Sequence, residues 1–373
     1  MMITEDVKRR AHELGFVGVG VAPADPLVEH ERVLSSRIAD GMLAGLSYFR
    51  PERVPLATDP RALLSGARAV LSLALPYAGP SRTAPPAGLY GRVAGYARGR
   101  DYHLRAKEKL AALVAYIGER VPGAGCRSFV DATPLSERAF AAQAGLGWFG
   151  KNNCLVTPTH GSWVVLCEVL TEAPLAADEP LAASCGDCRA CLAACPTGAL
   201  EAPYVHRTSR CLSYLTTELK GPLPRELRPL LGQRVLGCDS CQSACPRNAA
   251  LPTSEPREEP SEGLDDWLEL ASLFALSEAQ FRERFQDTAA ARPRRRGLLR
   301  NVAVVLGNLG NRDAVPTLAR ALADLEPLVR GHAAWALGRL GGAVARRQLE
   351  RVRRQEVNPA ALAEVEAALG EGG

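Results

Sequence analysis

The sequence predicts an α+β chain, and three observations carry that reading. Helical and strand patterns are mixed over residues 1–175, cysteine runs crowd residues 176–250, and an apolar helix recurs at an offset of 31 residues near the C-terminus. Mixed helices and strands over that first length make one domain. The cysteine segment has little room for a hydrophobic core and needs metal to organise it. The recurring helix marks a repeat architecture.

In the first part, Thr4 is placed to cap a helix running to Leu14, with Gly15 as its stop. Phe16 to Val21 reads as a strand and Ala69 to Leu75 as a second, buried one. Asp101 to Arg120 is a long helix, Phe129-Val130 ends a third short strand, and Pro134 to Ala144 is another helix. Val164 to Leu170, after a turn at His160-Gly161, closes this part. No G-x-G-x-x-G follows a strand, so a dinucleotide fold is not indicated.

The chain is 47% hydrophobic over 373 residues, enough to bury a sizeable core. It holds no run of about 18 apolar residues, so no transmembrane helix and no membrane partner are expected. The pair Arg9-Arg10 follows Glu5 and Asp6 and precedes no apolar stretch of signal length; it reads as a solvated helix face, and the expected location is the cytoplasm. In a reducing compartment, clustered cysteines point to metal or redox chemistry rather than disulfides.

Cys185-x-x-Cys188-x-x-Cys191-x-x-x-Cys195-Pro196 is a ferredoxin-type run, and Cys238-x-x-Cys241-x-x-x-Cys245-Pro246 is a near-copy with Cys211 upstream. Three thiolates on one tight loop reach three corners of a cubane, while the fourth cysteine of such a run points away and ligates the other cluster. This predicts two [4Fe-4S] clusters. Cys185, Cys188, Cys191 and Cys245 hold the first; Cys195, Cys211, Cys238 and Cys241 hold the second. The competing reading is zinc, whose sites use paired C-x-x-C spacing. Cys126, Cys154 and Cys167 fall outside the pattern and read as ordinary thiols, with Cys154 in an unusual loop that could line a site.

Residues 251–291 read as an acidic linker, from Glu255 to Glu269 with Pro256 and Pro260, followed by helices. Residues 292–373 form the tail, where Arg300 to Gly310 resembles Gly331 to Gly341 and each copy ends in Leu-Gly-x-Leu-Gly. Asp313 to Leu322 supplies a second helix with Pro316 in its first turn, which makes a HEAT-like pair. Two copies are few, so the tail is expected to pack on other parts of the chain. It carries 14 arginines against 8 acidic residues, or +6 against a whole-chain net of +4, so the rest of the chain is about −2, and the run Arg294-Arg295-Arg296 with Arg300 suggests a polyanionic partner. The bland reading is a solvated basic turn.

The sequence also resembles the epoxyqueuosine reductases, cobalamin-dependent enzymes of the last step of queuosine synthesis in tRNA. The carriers are Tyr96 to His103, Val130-Asp131 with Glu137-Arg138, Ala144 to Trp148, Gly150 to Asn152, Thr197 to Leu200, Arg210-Cys211 with Leu215-Thr216, and Gly237-Cys238-Asp239 with Cys241-Gln242. The match runs over nearly the whole chain. It implies a nitroreductase-like cobalamin-binding domain over 1–175, a ferredoxin-like domain with two [4Fe-4S] clusters over 176–250, and a C-terminal α-helical HEAT-like repeat.

The resemblance implies Asp131 as the acid that protonates the departing epoxide oxygen. A carboxyl in a partly desolvated pocket can do this near neutral pH; the alternative for Asp131 is a helix N-cap near Pro134. It implies Arg53, Asn153 and Leu155, in and near the loop Lys151 to Leu155, together with Asp131 and Ser213, as corrinoid contacts. His103 lies in a partial D-x-H-x-x-G pattern with Ala106 in place of Gly, and the resemblance assigns it no cobalt ligation. Lys220, Arg294, Arg295, Arg296 and Arg300 are the implied contacts to tRNA with a queuosine-type anticodon. An electron donor such as a flavodoxin or ferredoxin is a further implied partner. Two alternatives are a corrinoid reductive dehalogenase, which would not need the basic tail, and a non-enzymatic electron carrier, which would not bind cobalamin.

Overall fold

The computed structural model describes residues 2–79, 84–131, 134–249 and 263–371. Two compact units share the chain. One comprises Met1–Gly79, Tyr102–Ser209 and Ser240–Glu259; the other comprises Pro80–Asp101, Arg210–Asp239 and Pro260–Gly373. The units therefore do not follow the linear boundaries expected at 175, 250 and 291. Segments 80–101 and 210–239 pair with the C-terminal part, through contacts no local pattern encodes.

The first unit is built on a four-stranded antiparallel sheet in the order Gly18–Pro23, Ala69–Pro76, Val164–Thr171, Cys126–Val130. The two middle strands are apolar almost throughout, as expected of strands covered on both faces. Val70, Ala74, Phe129, Leu166 and Leu170 pack on one side against Phe140 and Ala141 of the helix Glu137–Gln143. The long helix Tyr102–Arg120 packs on the Cys126–Val130 strand and on Met2–Glu13. Met2–Glu13 begins earlier than its predicted cap. Thr4 lies inside it, and its hydroxyl accepts the Ala176 N–H at 2.8 Å. Gly15 ends it at φ +92°, the left-handed conformation glycine adopts freely.

The second unit has a three-stranded sheet absent from the sequence reading. Tyr90–Val93 lies at its centre, with Arg234–Leu236 parallel on one side and Trp267–Glu269 antiparallel on the other. Part of the predicted acidic linker, residues 263–269, thus becomes bridge and strand; residues 255–262 lie outside the described residues. The helices Arg294–Leu309 and Pro327–Leu340 are the predicted repeat, and Gly310 and Gly341 close them at positive φ. Val315–Ala321, with Pro316 in its first turn, is the intervening helix.

Within this unit the tail packs on residues 210–239, as expected, but by polar anchors that sequence does not display. Arg300 is fully buried and donates to the carbonyls of Leu215, Leu219 and Gly221 at 2.7, 2.8 and 2.6 Å. Asn301 donates to the carbonyls of Thr216 and Val235, and Asn308 to those of Arg228 and Gly232. Burial holds His332 well below the usual histidine range; its neutral ring accepts the Leu223 N–H. Arg228, also fully buried, pairs with Glu364. Arg300→Met removes the donor from three carbonyls, that of Leu215 fully buried. We expect this to cost about 2–4 kcal/mol, read as a lowered thermal midpoint.

Candidate active site and cluster cysteines

Asp131 follows the last residue of the Cys126–Val130 strand and adopts φ +48°, a left-handed conformation uncommon for a residue with a Cβ. Its backbone N–H donates to Glu137 Oε1, and its carboxylate accepts from the Tyr102 hydroxyl. His103 Nε2 lies 3.6 Å from Oδ2, and the His103 ring stacks on Tyr102. Asp131 is not a helix cap: the N-cap of Glu137–Gln143 is Ser136. Nor is the carboxyl in the desolvated pocket that was expected, since 45% of its side chain is accessible. The strand ends there, so the chain carries the carboxyl out of the core to a place where a substrate can meet it.

Behind it the charge environment is unusual. Glu168 is fully buried on the Val164–Thr171 strand. Burial, reinforced by Glu137 and Asp131, raises its pKa well above the carboxylate range. Burial, then the Asp131 charge, raises that of Glu137 as well.

The loop expected to touch a corrinoid is a tight hairpin between the short strands Trp148–Phe149 and Leu155–Val156. Gly150 N–H donates to the Cys154 carbonyl and Asn153 N–H to the Gly150 carbonyl, with Asn153 at φ +62°. Arg138 braces the Asn153 carbonyl, and Lys151 reaches the Gly186 carbonyl. The Asn153 side-chain amide nitrogen is buried without a partner, an open donor suited to a ligand's carbonyl groups. Leu155 buries its side chain in the sheet core, so only its backbone is placed to meet a ligand. Arg53 is exposed. Ser213, at the start of Leu212–Thr217, bonds the Tyr96 hydroxyl at 3.2 Å.

None of the eleven cysteines is in a disulfide. Cys191 lies on the short helix Ala190–Ala193 and Cys241 on Ser240–Ser243, which pack together. The thiols of Cys191 and Cys195 both lie within electrostatic reach of Cys241, so members of the two expected ligand sets are neighbours. Burial raises the Cys195 thiol, but N–H groups of Leu200, Thr197 and Ala199 and the Thr197 hydroxyl outweigh it and hold the group below the usual thiol range. A site that favours the thiolate suits a metal ligand. No three His, Cys, Asp or Glu side chains among the described residues surround a single ion position, whereas a cubane needs each thiolate at a different iron. Of the other cysteines, Cys154 contacts the Cys241 thiol, Cys126 bonds the Thr171 hydroxyl and Cys167 is buried in the sheet.

Comparison with known proteins bears on these features. A family profile described as 4Fe-4S double cluster binding domain matches residues 184–248, one described as epoxyqueuosine reductase QueG, DUF1730 matches 58–132, and one described as HEAT repeats matches 289–370. Epoxyqueuosine reductase of Bacillus anthracis is 34% identical over 98% of this chain and 97% of its own. The chain belongs to the epoxyqueuosine reductase family. Among solved structures, a Bacillus subtilis epoxyqueuosine reductase with its catalytic aspartate loop swung out of the active site superposes at TM-score 0.92 with 31% identity, covering 100% of this chain and 99% of that one. An epoxyqueuosine reductase with an epoxyqueuosine-modified tRNA-Tyr stem loop superposes at 0.92 with 32% identity, over 99% and 98%. The fold is thus that of this family, with its double-cluster domain and HEAT-like tail.

The structure corrects two of the residues expected at a tRNA surface. Arg300 is spent on buried carbonyls. Arg295 is largely buried, with its guanidinium on the Asp324 carboxylate at 2.6 and 3.1 Å and on the Leu276 carbonyl at 2.7 Å. Both face inward because the helix Arg294–Leu309 turns them toward its neighbours. Arg294 is exposed, Arg296 half-buried, and Lys220 exposed with its ammonium on the Arg292 carbonyl. Sequence reading also missed Tyr102 and the two glutamates as neighbours of Asp131. For Glu168 a signal existed: it is a lone carboxylate inside the otherwise apolar strand Val164–Leu170.

Proposed function

We propose that this protein reduces epoxyqueuosine to queuosine at the wobble position of tRNA. The observation that carries the reading is the near full-length match to epoxyqueuosine reductases together with the double-cluster cysteine segment. The overall change takes up two electrons and two protons, converting the epoxide to a carbon–carbon double bond and water. Cys185, Cys188, Cys191 and Cys245 hold one [4Fe-4S] cluster, and Cys195, Cys211, Cys238 and Cys241 the other, so electrons arrive one at a time from a soluble donor such as a flavodoxin or ferredoxin. Cobalamin, when bound, supplies a strongly reducing, nucleophilic cobalt centre for the epoxide. Arg53, the Asn153 amide and the Leu155 backbone contact the corrinoid, and Ser213 is a further contact.

Asp131 supplies a proton to the leaving oxygen. The Tyr102 hydroxyl and His103 ring orient its carboxyl, and a Bacillus subtilis relative is described with an aspartate on a catalytic loop, which supports this role. The reaction is placed in the cytoplasm, where its substrate would be made; no helix among the described residues is long and apolar enough to cross a membrane.

The experiment is anaerobic reconstitution followed by visible spectra with and without cobalamin, then single turnover on epoxyqueuosine-containing tRNA. A corrinoid spectrum that does not shift on adding protein, with no queuosine formed, overturns the reading.

The tRNA is held through phosphates by Arg294, Arg296 and Lys220. Each phosphate contact contributes about 0.9 to the slope of log affinity against log salt on duplex stems. The double variant Arg294→Ala, Arg296→Ala is therefore expected to lose about 1–2 units of slope with cluster content unchanged. An unchanged slope returns the segment to the solvated-turn reading.

A further inference from the structure

Glu168 stands in a middle strand of the first unit's sheet, directly across from Ser72 on one side and Phe129 on the other. It points to the face that carries Leu166 and Leu170, beneath the helix Glu137–Gln143. Neither carboxyl oxygen meets a donor there, and the Ser72 hydroxyl opposite is also buried without a partner. An ionised carboxylate so placed would be prohibitively unstable. The helix packed over that face begins at Glu137, and the Glu137 carboxyl is the charged group that acts most directly on Glu168. Two carboxylates cannot bond to each other, whereas an acid and a carboxylate can. Glu137 Oε1 in turn accepts the N–H of Asp131, whose left-handed backbone needs an outside hold to persist.

We propose that Glu137 and Glu168 hold one proton between them and act as positioning residues for Asp131: Glu168 donates to Glu137, and Glu137 pins the Asp131 amide in the turn that presents its carboxyl. The shared proton removes one of the two negative charges that Glu137 and Glu168 would otherwise place behind Asp131. The other ionisable groups acting here are Arg138, beside Glu137, and the Cys167 thiol, which burial and then the three carboxyl groups push up. The positioning role rests on Asp131 being the acid; the shared proton does not, and the test separates the two.

Infrared spectra of the full chain in heavy water at pH 7 should show the C=O stretch of a protonated carboxyl. Glu168→Gln should abolish it and Asp131→Asn should leave it. No such band in the wild type, or a band that survives in both Glu168→Gln and Glu137→Gln, overturns the shared proton. For positioning, Glu137→Ala should lower the single-turnover rate about ten- to a hundred-fold, with tRNA affinity, iron content and the cobalamin spectrum unchanged. Glu137→Gln keeps an oxygen for the Asp131 N–H and should restore most of that loss. A wild-type rate in Glu137→Ala, or no rescue by Gln, overturns positioning. Should Glu137→Ala accumulate poorly, Glu137→Asp, one methylene too short, takes its place. A wild-type rate in Asp131→Asn would refute the acid itself while leaving the infrared result standing.

Discussion

In the Cys245→Ala protein, iron is expected to fall from about eight to about four per chain after anaerobic reconstitution. The cluster lost should be the one on Cys185, Cys188 and Cys191, more than fifty residues away in sequence. Three cysteines on one tight loop cap three corners of a cubane but cannot bend back to the fourth. The last cysteine of each run is therefore expected to serve the other cluster. Cys195→Ala should give the reciprocal loss. Iron analysis gives the number, and EPR of the reduced protein, compared with a Cys188→Ala reference that also disrupts the first cluster, says which remains. If Cys245→Ala matches Cys238→Ala instead, the ligands do not cross.

Asp131→Asn should retain both clusters, cobalamin and tRNA affinity while losing about 10²- to 10⁴-fold in single-turnover conversion of epoxyqueuosine. Opening the epoxide leaves an alkoxide, a poor leaving species unless protonated, and a metal centre brings electrons but no proton. The amide of Asn keeps the shape of the carboxyl and accepts from Tyr102, but has no carboxyl proton to give. The structure makes this substitution clean. Asp131 caps no helix and its side chain is nearly half accessible, so stability should change little. Conversion at the wild-type rate by the cobalamin-loaded, pre-reduced variant would assign the proton to water or to another group. Tyr102, hydrogen-bonded to the carboxylate, and His103, 3.6 Å from it, are the side chains to test next.

The elements legible in the sequence were those whose signals are local. The strands at Ala69–Pro76 and Val164–Thr171 announce themselves as apolar runs, and the paired helices of the tail as a repeat closed by glycine. The strand Tyr90–Val93 was not legible. It is four residues long, and its partners lie more than a hundred residues downstream. The basic run at 294–296 was legible only as composition. Charge can be counted along a chain, but the direction of a side chain depends on what packs against its helix, and that turned Arg295 toward Asp324 and Arg300 into the 210–239 segment.

The sequence by itself determined the cofactor chemistry, because cluster ligation depends on cysteine spacing within short loops, where a few bonds fix the reach of each thiol. It also determined the family, through motifs spread along the chain. Only the tertiary structure decided what surrounds Asp131. Tyr102, Glu137 and Glu168 come from a helix start, another helix start and a middle strand, and only the sheet and its covering helices bring them to one strand end. The same holds for the buried proton. A carboxyl's ionisation depends on the water and charges around it, and those are set by burial in the folded chain rather than by its neighbours in sequence.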